Sequence, residues 1–366
     1  QGLQNMLPGA LSQTLEQVTR VACGFTISLY LLPRGIIWAA YGLACGMVAG
    51  EVIGLAAIML QYRLFSRPQP GKWLEKLQSR RNTLRRIWQL AGPVTVGRLL
   101  TSALSIVDAM LIPRRLLTAG HTARQATVLF GQLGGTGFTL LSFPTVFTFA
   151  LAISLVPSVS EATATKSFQT IRARSAEAIR VTILFGMPFL VILFYFAEPL
   201  TALFKSVHLA PVLRILAIGG VFFYLQQTTT AILQGLGKVQ LPLIHFIIAS
   251  TIRIPLLYWL TGMPQFGLAG TAWAMITGFF LIAILNIAAI QRQTGMLVNL
   301  NRLGFQPVSA ALCMLLTFRL LAPSLDHHLF NYPEEVIIGG LVYLIVLVLN
   351  GGITRWDIRR IISLVR

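Results

Sequence analysis

Apolar runs of about 20 residues recur along the whole chain, each closed by a short cluster of Pro, Gly and charged residues. A run of that length is what an α-helix needs to cross the hydrocarbon core of a bilayer. With Pro, Gly and charge as punctuation, the pattern predicts ten helices, at 8–33, 36–62, 87–113, 139–161, 179–204, 211–234, 240–262, 267–290, 304–322 and 335–353. The first of them carries Ser12, Gln13, Glu16, Gln17 and Arg20, so it must line a cavity or a helix interface rather than face lipid.

Two stretches repeat. QGLQNMLPGALSQTLEQVTRV (1–21) answers QGLGKVQLPLIHFIIASTIRI (234–254), with Gln1 on Gln234, Gly2 on Gly235 and Arg20 on Arg253. In the helix that follows each, AAYGLACGMVAG (39–50) answers GLAGTAWAMITG (267–278), with Gly42 on Gly270, Met47 on Met275 and Gly50 on Gly278. Self-similarity in the same order over two successive helices marks a duplicated architecture. Equivalent helices running the same way imply two lobes related by an axis along the membrane normal. The second copy starts near Ile87, and four helices precede Gln234 within it. By symmetry four should precede Gln1, about 150 residues on the logic of the repeat. The expected fold is therefore an all-α integral membrane protein, a two-lobed helical bundle with ten of about fourteen transmembrane helices in this chain. Residues 1–62 would be the last two helices of the N-lobe, 63–86 a basic cytoplasmic linker and 87–290 a six-helix C-lobe. Residues 304–353 would add two further helices, and 354–366 a basic cytoplasmic tail.

Composition narrows the class. Of 366 residues 55% are hydrophobic and 11% charged, with a mean hydropathy of +0.74. Soluble domains carry about 25% charged residues, so a soluble enzyme, a disordered chain or a nucleic-acid module is excluded. The net charge of +18 does not alter that, because the basic residues lie in short stretches between apolar runs. With 63–86 in the cytoplasm, 19 Lys and Arg fall in cytoplasmic loops and five outside, the asymmetry of the positive-inside rule. Ser79 is then expected inside and Asn331 outside. Cys23, Cys45 and Cys313 sit within apolar runs and lack metal or redox spacing.

Ionisable groups within spans are costly and mark candidate sites. Glu16 and Arg20 stand in the favourable i,i+4 order. Arg20 and Arg253 would each offer a guanidinium to a central cleft, and two such forks suit a pyrophosphate. Arg98 and Glu16 complete the candidate substrate-binding set. Asp108 and Glu51, acids within apolar helices, are candidates for coupling transport to Na⁺ or H⁺. Inter-helix salt bridges are the plainer reading of all of them. Catalytic and metal signatures are missing. ILQGLGK (232–238) departs from a P-loop at Ile232 and Val239, and GQLGGTG (131–137) reads as a flexible turn or close helix packing. His327 and His328, beside Asp326, read as a solvated face. No cofactor, metal or nucleic-acid partner is expected; membrane lipids are.

The segments QGLQNMLPGALSQTLEQVTRV, FGQLGGTGFTLLSFPTVFTFALAISLVPSVSEA (130–162) and AILQGLGKVQLPL (231–243) resemble the stage V sporulation protein B group. That group lies in the polysaccharide-transporter branch of the multidrug/oligosaccharidyl-lipid/polysaccharide exporter superfamily. The resemblance implies a fourteen-helix, two-lobed flippase for undecaprenyl-pyrophosphate-linked saccharide, related to lipid II flippases and associated with spore cortex formation. Lipid II flippases carry a cleft Arg five residues before the Pro of their Phe-Pro step; here that step is Phe143-Pro144 and the position is Thr139. The implied substrate is thus lipid-linked saccharide in general. A cation-coupled multidrug exporter and a non-transporting scaffold for cell-wall synthesis are the competing readings, and an enzyme comes last.

Overall fold

The computed structural model describes residues 7–65, 80–296, 301–321 and 332–352. The expectations for most of the 63–86 linker, for Ser79, Asp326, His327, His328 and Asn331, and for the 354–366 tail lie outside the described residues. Among the described residues the protein is helical without a strand.

The long helices follow the hydropathy pattern, with two instructive departures. They are α1 (Leu7–Leu31), α2 (Ile36–Phe65) and α3 (Arg80–Thr118), then, after the shorter pieces α4 (Ala123–Gln132) and α5 (Phe138–Ser142), α6 (Thr145–Ala164) and α7 (Phe168–Tyr195). The short α8 (Ala197–Leu203) precedes α9 (Ala210–Gly235), α10 (Gln240–Gly262), α11 (Gly267–Thr294), α12 (Gln306–Leu321) and α13 (Tyr332–Leu349). Among the described residues eight helices are long and apolar enough to span a membrane, and α1 is not one of them. In α1 the side chains of Glu16, Gln17 and Arg20 lower the hydropathy.

The expected helix at 139–161 is a composite. A π turn at Leu133–Gly137 joins α4 to α5, and Phe143 and Pro144 interrupt the path to α6. Of the glycines in GQLGGTG, only Gly137 packs, against Leu133, Leu209 and Leu216; Gly131, Gly134 and Gly135 face open space. Close packing therefore accounts for one of them, and the π turn marks an irregular stretch of the kind found at functional sites. The other departure is α7, which runs Phe168–Tyr195 instead of 179–204, its first two turns carrying Arg172 and Arg174 and its expected end being the separate α8. Arg172 Nε donates to the Thr294 carbonyl, so one basic residue of this end closes the last turn of α11.

The chain divides into two compact units, Gln1–Leu84 and Arg85–Arg366. In the first, α1 and α2 form a hairpin held by backbone approach. A methyl on Gly42 would lie 2.6 Å from Ser28 N, and one on Gly46 would overlap Gly24. In the second unit, α10 and α11 form the matching hairpin: a methyl on Gly270 would lie 2.5 Å from the Leu260 carbonyl carbon. Ile27 and Leu260 are equivalent in the repeat, so equivalent glycines meet equivalent turns. Small residues at such crossings let backbones touch, which supplies the packing that drives association where lipid removes the hydrophobic term.

The core of the second unit centres on α9, whose Leu213, Leu216, Ile232 and Leu233 are buried between α7 and α11. Tyr224, also buried, donates its hydroxyl to the Leu141 carbonyl at 2.8 Å. That carbonyl sits just before the break at Phe143, where a helix carbonyl needs a partner from outside its own helix. The helices α12 and α13 pack on the α7 side through Phe196, Met314, Phe318 and Tyr343.

Candidate functional site

One face of α10 is buried at every fourth residue: His245, Ala249, Arg253, Leu257 and Thr261. This stripe lies on α11, and at its centre the stem of Arg253 covers Gly278, where a methyl would come within 2.9 Å of Arg253 Cδ. Only glycine leaves room for the arginine to run along the helix surface. The guanidinium then reaches α3, donating from Nη2 to Asp108 Oδ1 at 2.6 Å. The two side chains are 11% and 15% exposed. So buried a pair is stable only as a pair, since either charge alone would carry an uncompensated desolvation cost.

Asp108 and Arg253 line a cavity of about 390 Å³ within the second unit. Its walls come from α3 (Thr101, Ser105), from the π turn and its neighbours (Phe130, Phe138), and from α9, α10 and α11 (Gln226, Ser250, Phe279). Arg98 stands on α3 three residues before Thr101, one turn along the same side of the helix. It is exposed, lies within the apolar window Gly92–Thr118, and has no hydrogen-bond or ion-pair partner among the described residues.

The first unit holds a second ion cluster. Arg20 Nη2 donates to Glu16 Oε1 at 2.5 Å and to Glu51 Oε1 at 3.1 Å. Glu51 is 70% exposed and Glu16 22%. Two carboxylates against one guanidinium leave this cluster at −1, whereas Arg253 and Asp108 balance. Ser12, the repeat-mate of His245, is buried and donates to the Gly54 carbonyl at 2.8 Å. The structure thus pairs five of the six sequence candidates in two groups, Arg20 with Glu16 and Glu51, and Arg253 with Asp108, and leaves Arg98 to itself. A phosphate bound by Arg20 or Arg253 would have to displace a carboxylate already in place.

Sequence reasoning missed the uncharged polar groups. His245 Nδ1 meets Asn286 Oδ1 at 2.7 Å, and Asn286 Nδ2 donates to the hydroxyls of Thr229 and Thr230, 3.1 Å from each. Asn286 is fully buried in α11. A lone Asn in a span is the signal that was available, because in lipid such a group must find a partner on another helix. Gln226 and Ser250 carried no such signal. Among the described residues no group of three His, Cys, Asp or Glu could hold a metal ion.

Among the described residues, a helical bundle with eight membrane-competent helices and an ion pair buried between two of them defines a multi-pass membrane protein. The family described as "Polysaccharide biosynthesis protein" matches residues 1–163, and the MatE family matches 133–259. Stage V sporulation protein B of Bacillus subtilis (strain 168) is 27% identical over 99% of this chain and 70% of its own length. Among solved structures, an outward-facing multidrug-resistance MATE transporter of the MOP superfamily superposes with a TM-score of 0.59 at 18% identity, over 78% of this chain and 62% of that one. The lipid II flippase MurJ in an inward closed conformation gives 0.55 at 16% identity, over 94% of this chain and 67% of that one. The chain spans between about three-fifths and seven-tenths of the length of these relatives. It is a homologue of stage V sporulation protein B, and the polysaccharide-biosynthesis and MatE models each match part of it.

Proposed function

We propose that this protein is part of a flippase that carries undecaprenyl-pyrophosphate-linked saccharide across the cytoplasmic membrane by alternating access, with a role in spore cortex formation. The observation that carries the reading is Arg98. An arginine inside a span is costly unless an anion meets it, and this one is exposed with no carboxylate partner among the described residues. The pyrophosphate of a lipid-linked saccharide is an anion that stays at membrane depth while its polyprenyl tail remains in the bilayer, and guanidinium binds phosphate in a planar fork. A cationic drug would be repelled at the same position, which disfavours the exporter reading although the MATE fold is shared.

In this reading Arg20 and Arg253 are second contacts, reached only when substrate displaces Glu16, Glu51 or Asp108. Exchange of that kind would let the acids take up Na⁺ or H⁺ as the phosphate arrives, coupling the two. Arg98→Ala should lower flipping of a fluorescent lipid-linked saccharide in vesicles at least about tenfold with folded protein unchanged, one charged hydrogen bond being lost. Arg98→Lys should recover part of it, keeping the charge without the fork. Unaltered flipping by Arg98→Ala per folded molecule would remove the basis of the reading.

A further inference from the structure

The cavity beside Asp108 and Arg253 has largely aromatic walls. Five phenylalanines, Phe130, Phe138, Phe223, Phe246 and Phe279, line it, and Phe223 and Phe279 already lie with centroids 4.9 Å apart. Set among them are two neutral polar side chains, and neither makes a hydrogen bond among the described residues. The Gln226 amide on α9 has its Oε1 buried without a partner, and the Ser250 hydroxyl on α10, open rather than sealed, makes no hydrogen bond. Thr101 and Ser105, on the α3 wall, donate to carbonyls of their own helix and keep lone pairs to spare. Polar groups at such positions are normally paired, and each unmet one calls for an explanation.

Charge restricts the occupant. The two ionised groups in the wall neutralise each other across 2.6 Å, so a free anion or cation would have to break that pair. Size restricts it further, since about 390 Å³ is at the small end of ligand sites, about 300–1,000 Å³. What remains is a compact neutral ligand with an apolar face for the rings and a rim of groups that both donate and accept. A pyranose fits that description: its C–H faces pack on aromatic rings, while each hydroxyl offers a donor and two acceptors.

We propose that this cavity receives one sugar ring of the transported saccharide, with Gln226 and Ser250 binding its hydroxyls. The inference rests on the lipid-linked saccharide reading and adds to it a subsite within the second unit. Arg98, one turn from Thr101 on the same side of α3, then meets the phosphate while the ring enters beyond it. The open face of Gly134 has a reason in this arrangement, because Gly134 lines the cavity and a side chain there would take up its space.

A glucoside with a diazirine-bearing alkyl aglycone tests this, applied to the protein in phosphatidylcholine vesicles with labelled peptides mapped by mass spectrometry. Labelling should fall on α9 and α10 and be competed by methyl glucopyranoside. It should drop about tenfold in Gln226→Leu or Ser250→Ala, each losing one hydrogen bond. Neither substitution adds more than a little bulk, and each removes an unpaired polar group, so thermal stability should hold or rise. Equal labelling by the same aglycone on glycerol would mean a simple lipid pocket and overturn the proposal, as would labelling that maps elsewhere or is unmoved in both variants. Thermal stabilisation by NaCl that Gln226→Leu abolishes, without competition by the sugar, would identify an ion cavity and equally overturn it. Sugar-competed labelling that persists in an Arg98→Ala protein unaltered in flipping would leave the subsite standing and count against the phosphate reading alone. Loss of labelling with Arg98-dependent flipping retained would do the reverse.

Discussion

In the α10–α11 hairpin an arginine covers a glycine and gives its charge to one carboxylate from a third helix, α3. In the α1–α2 hairpin the equivalent arginine covers the equivalent glycine, Gly50, but two carboxylates of the hairpin itself share one of its nitrogens. Both arginines leave Nε buried and unmatched, so the stem geometry is common and the charge environment is not. The repeat preserves Gly42 with Gly270 and Gly50 with Gly278, where a methyl would meet backbone or the arginine stem, but not the tightest contact, Gly46 on Gly24. It lets the part made by long side chains diverge, because these can reach acids in several places. The Arg253 pair is neutral and closed, and the Arg20 cluster carries −1 with Glu51 largely open.

The strongest way to break the likeness is at the crossing. Gly46 touches Gly24 so closely that a methyl would overlap it, yet the repeat-mate of Gly46 is Ala274, fully buried and accommodated opposite Leu257. Gly46→Leu should force α1 from α2 and cost about 3 kcal/mol or more, read as a fall in the unfolding temperature in detergent. Ala274→Gly should cost only about 1 kcal/mol. Similar losses in the two would show that the hairpins do not differ in how closely their backbones approach.

Next in size is the buried pair. Asp108→Asn strands a guanidinium that is 11% exposed, and breaking such a pair from one side costs about 3–5 kcal/mol. The double change Asp108→Leu with Arg253→Met should recover most of it, as apolar replacement of a buried pair is often neutral. Failure of the double variant to recover, with the single ones unstable, would mean that the charges hold more than each other.

The contrast also shows what the sequence could disclose. The α10 helix runs over the 240–262 expected, because Pro242 near its start and Gly262 at its end bound an unbroken apolar run. The first turns of α7 were not legible as helix, since Arg172 and Arg174 break the apolar run by which hydropathy marks a span. Glu16 with Arg20 was legible as a pair because one turn separates them. Asp108 and Arg253 were each visible as costly charges, but 145 residues of chain separate them, and only the packing of α3 against α10 shows that they belong together. The cavity was not legible at all, for Gln226 and Ser250 are uncharged and their importance lies in having no partner.

The smallest expected effect on stability is also the sharpest on mechanism. Glu51→Gln removes one of two carboxylates from Arg20, but that carboxylate is 70% exposed and Glu16 keeps the shorter contact. Exposed ion pairs contribute about 0–1 kcal/mol, less in salt, so the unfolding temperature should hardly move. The charge of the cluster, however, goes from −1 to zero and becomes that of its counterpart at Arg253. If the surplus acid is where a coupling Na⁺ or proton binds, the variant should fold normally while its flipping rate loses dependence on the Na⁺ or pH gradient. A gradient dependence identical to that of the unaltered protein, measured in the same vesicles, would assign the surplus charge to holding Arg20 in place and to nothing else.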